Sequence, residues 1–427
     1  MSVVRIAAGA VAPHPGPGWA AGPGLPPAGL YLHVPFCRSI CPYCDFVVVA
    51  GRAARGPGSR IGAVAAALAT EVRLRADLLD RAHGTSRPPL TSVYLGGGTP
   101  SLLAPGQVAD LLAVVVERLG LAPDAEVTLE ANPGPDEHGD LAGYRAAGVT
   151  RLSIGAQSRH AAELRRLGRR HGPDDVAATV RDARAAGIRS VALDLLIGVP
   201  GQDARSWDAT LDRVLALAPD HVSAYHLALD DPDAEGRTGP LGDHLPLRDG
   251  ARRWRARARA AVDDDRTVEL DALGEARLAA AGFERYEIAN HARPGHAARH
   301  NLHYWERRSV LAAGPGAHAF DGVAVRSWNA APLDPWLAAL RPADGTAPAL
   351  PPGDSVVLSP DDARAEAAIL GLRLARGIGP ELADDPALAP ALAWGVHAGL
   401  LVRDPAGARL TARGRLLSNE LFARLLP

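Results

Sequence analysis

The stretch Tyr31–Phe46, "YLHVPFCRSICPYCDF", holds Cys37, Cys41 and Cys44, and the 427 residues contain no other cysteine. The apolar run "GLYLHV" (29–34) leads into it, so the thiols stand in the loop after a strand. Three cysteines cannot all pair with one another, and a reducing compartment disfavours disulfides. A structural zinc site takes four Cys or His ligands, and the nearby His33 precedes the cysteines on the strand. Iron–sulfur clusters are held by thiolates, usually four. Three thiolates spaced C-x3-C-x2-C leave one iron of a [4Fe-4S] cluster open to a substrate or cofactor. Packing alone rarely explains clustered thiols, whereas ligand chemistry does. Cys37, Cys41 and Cys44 are therefore the candidate metal ligands.

Composition narrows the remaining choices. With 47% hydrophobic residues and a formal charge of −2, the chain reads as soluble and globular, with one large domain and a smaller one. No apolar run is long enough to span a bilayer. The 46 strongly basic residues are all arginine, and 48 acids balance them along the chain, so no nucleic-acid surface is expected. Residues 1–28 are rich in Ala, Pro and Gly and read as a disordered tail, because Pro and Gly interrupt the apolar core a signal peptide needs. A cytoplasmic location follows, where the thiols stay reduced.

Beyond Tyr31 short apolar runs alternate with helical patterns. Strands are predicted at 29–34, 92–96, 126–131, 151–157, 190–198 and 221–229, and helices near 60–81, 106–119, 137–147, 173–186 and 204–217. Six β/α units imply an α/β fold with a parallel sheet. Six are too few for a closed eight-fold barrel, so an open, partial (β/α)6 barrel is expected, with a doubly wound sheet as the alternative. Ligands bind at the C-terminal strand ends in such folds. There the sequence places the cysteine loop, Gly96-Gly97-Gly98-Thr99, Glu130, Gln157, Asp194, and Tyr225-His226.

These residues recur in a known pattern. "GLYLHVPFCRSICPYCDF", "YLGGGTPSLL", "LEANP", "RLSIGAQS", "LGRRH", "DLLIGVPGQ", "HVSAY", "YEIANHARPGHAARHNLHYW" and "GPGAH" together resemble radical S-adenosylmethionine (SAM) proteins, in the branch of oxygen-independent coproporphyrinogen III oxidase and its heme-chaperone relatives. The resemblance implies a [4Fe-4S] cluster and SAM as cofactors. It assigns Tyr31, Phe46, Gly97, Gly98, Thr99, Glu130, Gln157, Arg169 and Asp194 to the SAM site. The oxidases carry another cysteine where this chain has Phe46, and the chaperones carry H-N-x-x-Y-W, here His300 to Trp305. The chaperone side of the branch is therefore expected, with heme bound through His300. Coproporphyrinogen oxidation and another radical reaction, such as methyl transfer, are the alternatives.

By the same resemblance the partners are heme, an unidentified heme-acceptor protein, soluble or membrane-associated, and an electron donor of the flavodoxin or ferredoxin type. The expected organisation is a barrel over 29–230, a family-specific region over 231–340 with the HNLHYW motif, and a helical, winged-helix-like domain over 355–427. The segment "LDDPDAEGRTGPLGDHLPLRDG" departs from the family's usual Glu-x-Gly-Thr-like turn.

Overall fold

The protein is described by a computed structural model covering residues 24–134 and 136–427. Most of the predicted tail, residues 1–23, lies outside the described residues. Its last residues are tied down: Leu25 and Ala28 donate backbone hydrogen bonds to Asp321 O (2.7 Å) and Ser309 O (2.8 Å).

The first half runs β1 Gly29–Val34, α1 Ile61–His83, β2 Leu90–Gly97, α2 Pro105–Leu119, β3 Leu121–Ala131, α3 Leu141–Ala147, β4 Arg151–Gln157, α4 Ala161–Arg166, α5 Pro173–Ala185, β5 Ser190–Ile197, α6 Ala204–Ala216 and β6 His221–His226. Strands β1 to β6 are parallel and hydrogen-bond in chain order. No reversal of order occurs among them, which excludes the doubly wound alternative and leaves a singly wound, open barrel.

The sheet has more strands than the six expected. Two helices, α7 Asp249–Ala261 and α8 Asp264–Ala280, precede β7 Glu284–Arg285 and β8 Asn290–Ala292, which extend the β6 edge antiparallel. After α9 Arg299–Trp305, strand β9 Val310–Ala313 adds parallel to β1. β10 His318–Phe320 and β11 Val325–Asn329 follow antiparallel, and after α10 Leu333–Leu340 comes the edge strand β12 Gly353–Val357. These strands are only two to five residues long, too short for period-2 patterning to announce them. Residue 355 lies within β12, so the last helical unit begins after it. It comprises α11 Pro360–Arg373, α12 Pro380–Ala383, α13 Ala389–His397, the hairpin β13 Leu401–Asp404 and β14 Gly407–Leu410, α14 Ala412–Leu416 and α15 Ser418–Leu425, around its own apolar core.

The helix predicted over 137–147 is shorter than expected. Gly139 has φ +70°, and Asp140 caps the helix by accepting from Gly143 N, so regular turns begin at Leu141. Strand β6 likewise ends at His226 rather than at residue 229.

Alternation along the strands positions the site. In β3, Val127, Leu129 and Ala131 join the main core; in β4, Leu152, Ile154 and Ala156 do; in β5, Val191, Leu193 and Leu195. The intervening residues Glu130, Ser153, Gly155, Gln157 and Asp194 turn to the other face and line a cavity. None of the helices among the described residues is long and apolar enough to cross a membrane.

Candidate functional site

The inner face of the sheet encloses a cavity of about 560 Å³ that reaches from the cysteine loop to α9. The neck of the cysteine loop is tied by Cys37 N to Val49 O (3.0 Å) and Val49 N to Pro35 O (2.7 Å). The loop is braced from outside by Arg255 of α7, whose guanidinium donates to Pro42 O (3.2 Å) and Tyr43 O (2.8 Å). Cys37, Cys41 and Cys44 all face the cavity. Thr99 Oγ1 stands 3.5 Å from Cys37 Sγ, and an Arg169 nitrogen 3.8 Å from Cys41 Sγ. Burial pushes the Cys37 thiol up to about 12, with the Thr99 bond acting against the shift, and raises Cys44 well above its ordinary value. Thiolates at these positions therefore need cationic partners.

Among the described residues no three Cys, His, Asp or Glu side chains converge as they would around a single metal ion. A cluster makes a different demand, since each thiolate binds a different iron. Three thiols on one loop, open to one cavity and two of them already facing donors, fit that demand.

The glycines of β2 are set by contact. A Cβ on Gly97, whose φ is +106°, would lie 2.3 Å from the His33 ring, and one on Gly98 would lie 2.5 Å from Phe36 O. Their backbones wall the cavity beside the cysteine loop. His33 is no ligand: its ring bonds Tyr31 Oη (2.9 Å) and Val47 O (2.7 Å), and burial lowers it to about 4.

Two buried acids face the cavity. Glu130 accepts from Tyr94 Oη (2.7 Å) and Gly97 N (2.9 Å), yet burial raises it to about 7. Asp194 accepts from Ser223 Oγ (2.7 Å) and Ser153 Oγ (3.1 Å), and burial raises it too. Arg169 is held in the cavity wall. Its guanidinium donates to Asn132 Oδ1 (2.5 Å) and Gly155 O (2.7 Å). Gln157 lines the wall with φ +64°, where β4 breaks register with β5.

Of the residues assigned to SAM, Tyr31, Phe46, Gly97, Gly98, Glu130, Gln157, Arg169 and Asp194 line this one cavity. Phe46 does so from the rim, 51% exposed. Thr99 does not reach the wall. It is buried behind Cys37 and accepts from Asn132 Nδ2 (2.9 Å).

His300 lies at the opposite end. Helix α9 crosses the N-terminal side of the strands, where Glu126 of β3 accepts from His300 N (3.1 Å) and Ser92 of β2 meets His300 Nδ1 (2.8 Å). Its Nε2 meets Tyr304 Oη (3.0 Å), so both ring nitrogens are engaged, and burial lowers the imidazole to about 3. His300, Asn301 and Tyr304 nevertheless line the same cavity as the cysteines.

Sequence reasoning missed Tyr94, Ser153, Ser223 and Arg255. For the serines a signal existed: each is a lone hydroxyl inside an apolar run, at an inward position of its strand. Arg255 has none, because α7 lies more than two hundred residues from the loop it braces.

The radical SAM superfamily profile matches residues 31–214. Heme chaperone HemW of Mycobacterium tuberculosis is 39% identical over 418 residues, covering 96% of this chain and 97% of its own. The chain belongs to the HemW family of radical SAM proteins. Heme chaperone HemW of Escherichia coli is 37% identical over 295 residues, covering 69% of this chain and 70% of its own. The solved structure of Escherichia coli coproporphyrinogen III oxidase (HemN), a radical SAM enzyme, superposes with a TM-score of 0.74 at 24% identity, over 94% of this chain and 90% of that one. That likeness bears on the fold alone. Membership of the radical SAM superfamily implies a [4Fe-4S] cluster and SAM.

Proposed function

We propose that this protein is a heme chaperone: it takes heme into the cavity and passes it to an acceptor protein. The observation that carries the reading is the continuity of one cavity from the three thiols to His300, Asn301 and Tyr304. In this reading Cys37, Cys41 and Cys44 hold the cluster. Gly97, Gly98, Glu130, Gln157, Arg169 and Asp194 bind SAM, and Tyr31 and Phe46 close the two ends of its site. Thr99 acts one step removed, by orienting Cys37. When bound, the cluster and SAM supply one-electron chemistry, driven by an electron donor of the flavodoxin or ferredoxin type.

The chain's own residues bind, orient and exclude water. Glu130 and Asp194 offer acceptors to hydroxyl or ammonium groups, and the Arg169 guanidinium fixes Asn132 and the cysteine loop together. Neutral His300 is a suitable axial ligand for heme iron, once its Nε2 exchanges the Tyr304 hydroxyl for the metal. The barrel of residues 29–230 holds the cofactors, residues 231–340 supply the floor, and the helical unit after 355 covers the edge. The protein works in the cytoplasm, where its thiols stay reduced.

The test is an anaerobic titration of the reconstituted protein with hemin, beside an assay with coproporphyrinogen III, SAM and reductant. Stoichiometric heme uptake without porphyrinogen turnover is expected. Robust formation of protoporphyrinogen IX would overturn the chaperone reading in favour of the oxidase. His300→Ala should shift or weaken the Soret band; an unchanged band would make His300 a structural part of the barrel floor.

A further inference from the structure

Five arginines line the cavity: Arg151, Arg169, Arg255, Arg373 and Arg415. Three of them are committed within the protein. Arg169 and Arg255 donate to the acceptors described above, and Arg415 pairs with Glu275. Arg151, at the foot of β4, has no hydrogen bond with the described residues and its Nε is unpartnered, but the carboxylates of Glu126 and Asp194 around it outweigh its burial. Arg373 differs. It makes no hydrogen bond or ion pair with any of the described residues, and its Nε is buried without a partner. Its guanidinium lies 4.2 Å over the Trp305 ring. The carboxylate of Glu287 is felt electrostatically but forms no ion pair with it, and one Glu287 oxygen is itself unpartnered.

The place of this arginine is as informative as its isolation. Arg373 is the last residue of α11, and the next residue, Leu374, bridges to Glu287 in the segment between β7 and β8. That segment lies beyond β6, where Ala289 O accepts from Ala224 N. The guanidinium therefore enters the cavity at the edge where the partial barrel is open, carried by the C-terminal helical unit. On α9, Asn301 and Trp305 are one turn apart and share a helix face. Asn301 also lines the cavity, and its buried Nδ2, beside the Tyr286 hydroxyl, makes no well-formed hydrogen bond. A guanidinium held flat by an indole, with an amide donor on the same helix face as that indole, is an arrangement suited to a carboxylate. Leaving such donors buried without an acceptor is costly, and a ligand oxygen removes the cost.

We propose that Arg373, with Asn301, forms a carboxylate-binding subsite that holds a propionate of the tetrapyrrole in the cavity. This rests on the heme reading above and adds which end of the ligand faces the barrel's open edge. It also gives the C-terminal unit a direct part in binding, so that movement of α11 would release the propionate and the heme together.

The experiment compares hemin with hemin dimethyl ester, which keeps the iron and the ring but has no carboxylate. Both are titrated anaerobically into the reconstituted full-length protein, with iron content as the folding control. Wild type should bind hemin roughly ten-fold tighter than the ester, the worth of one charge-assisted hydrogen bond. Arg373→Met should lose that preference, and Arg373→Lys should keep part of it. Equal affinity of wild type for the two porphyrins would overturn the subsite even if no variant folds. A preference that survives intact in Arg373→Met would also overturn it. Wild type that binds neither porphyrin would instead remove the heme reading and the subsite with it.

Discussion

Two regions that bury charged groups treat them in opposite ways. Beneath α1, Glu71 is fully buried, and four donors meet its two oxygens: Arg75 Nε (2.8 Å), Asn329 Nδ2 (2.7 Å), Trp336 Nε1 (2.9 Å) and Gly314 N (2.9 Å). Arg75 also donates to Asn329 Oδ1 (2.7 Å), closing the network. Around the cavity polar groups are left with unfilled valences: Arg151 Nε, Arg169 Nε, Arg373 Nε and Asn290 Oδ1 have no partner among the described residues. A satisfied buried network holds α1, α10 and β11 together. An unsatisfied one can accept the polar groups of a ligand. The contrast predicts that substitutions in the first region change stability and leave binding alone, and that substitutions in the second do the reverse.

The largest effect is expected at the cysteine loop. Replacing Cys37, Cys41 or Cys44 by Ala should abolish cluster assembly, read as iron and sulfide per chain after anaerobic reconstitution. The melting temperature of the metal-free chain should barely move. A triple-Ala variant that still carried a full complement of iron would show that the thiols are not the ligands.

Glu71→Ala leaves Arg75 buried without its partner. Breaking a buried pair from one side costs about 3–5 kcal/mol, a large part of a domain's whole stability. Denaturant unfolding should show that loss, and any folded fraction should bind SAM normally. Weakened SAM binding in the folded fraction would mean the two regions are coupled.

Much of this contrast could be read in advance at the cavity and little of it at α1. The cysteine spacing, Gly97-Gly98, Glu130 and Asp194 each stand out as polar or glycine residues interrupting apolar strands, and the chain order of the six strands is explicit in their alternation with helices. Glu71 gives no such sign, because "ATEVRLRAD" reads as an ordinary solvated helix face. Its partners come from residues 314, 329 and 336, joined only when the short strands β9 and β11 complete the sheet. Arg255 and Arg373 were hidden for the same reason: local periodicity carries no record of contacts made over such separations. At Thr99 the motif position suggests a ligand contact, and the structure turns the side chain to Cys37 and Asn132.

Next in size is the SAM site. Glu130→Gln and Asp194→Asn each remove a charged acceptor, so SAM affinity should fall roughly ten-fold, the lower end for a charge-assisted hydrogen bond. Cluster content should stay at the wild-type level, and equilibrium dialysis against SAM separates the two readouts. Unchanged affinity in both variants would move SAM away from these strand ends.

The smallest effect follows from the protonation of Glu130. Its ordinary value is 4.5, and burial raises it to about 7. The folded protein therefore holds this proton over a range where the unfolded chain has lost it. Stability from this group is greatest at low pH and falls as pH rises from about 4.5 to about 7. SAM binding has the opposite sign. Hydroxyl donors prefer the ionised carboxylate, so affinity should rise as pH passes through 7. With a midpoint near 7, the ionised fraction grows about ten-fold between pH 6 and pH 8, which bounds the gain in affinity. Glu130→Gln should bind SAM weakly and with a flat profile over the same range. A profile in wild type that falls with pH, or one that persists unchanged in Glu130→Gln, would assign the titration to another group and leave Glu130 with a structural role like that of Glu71.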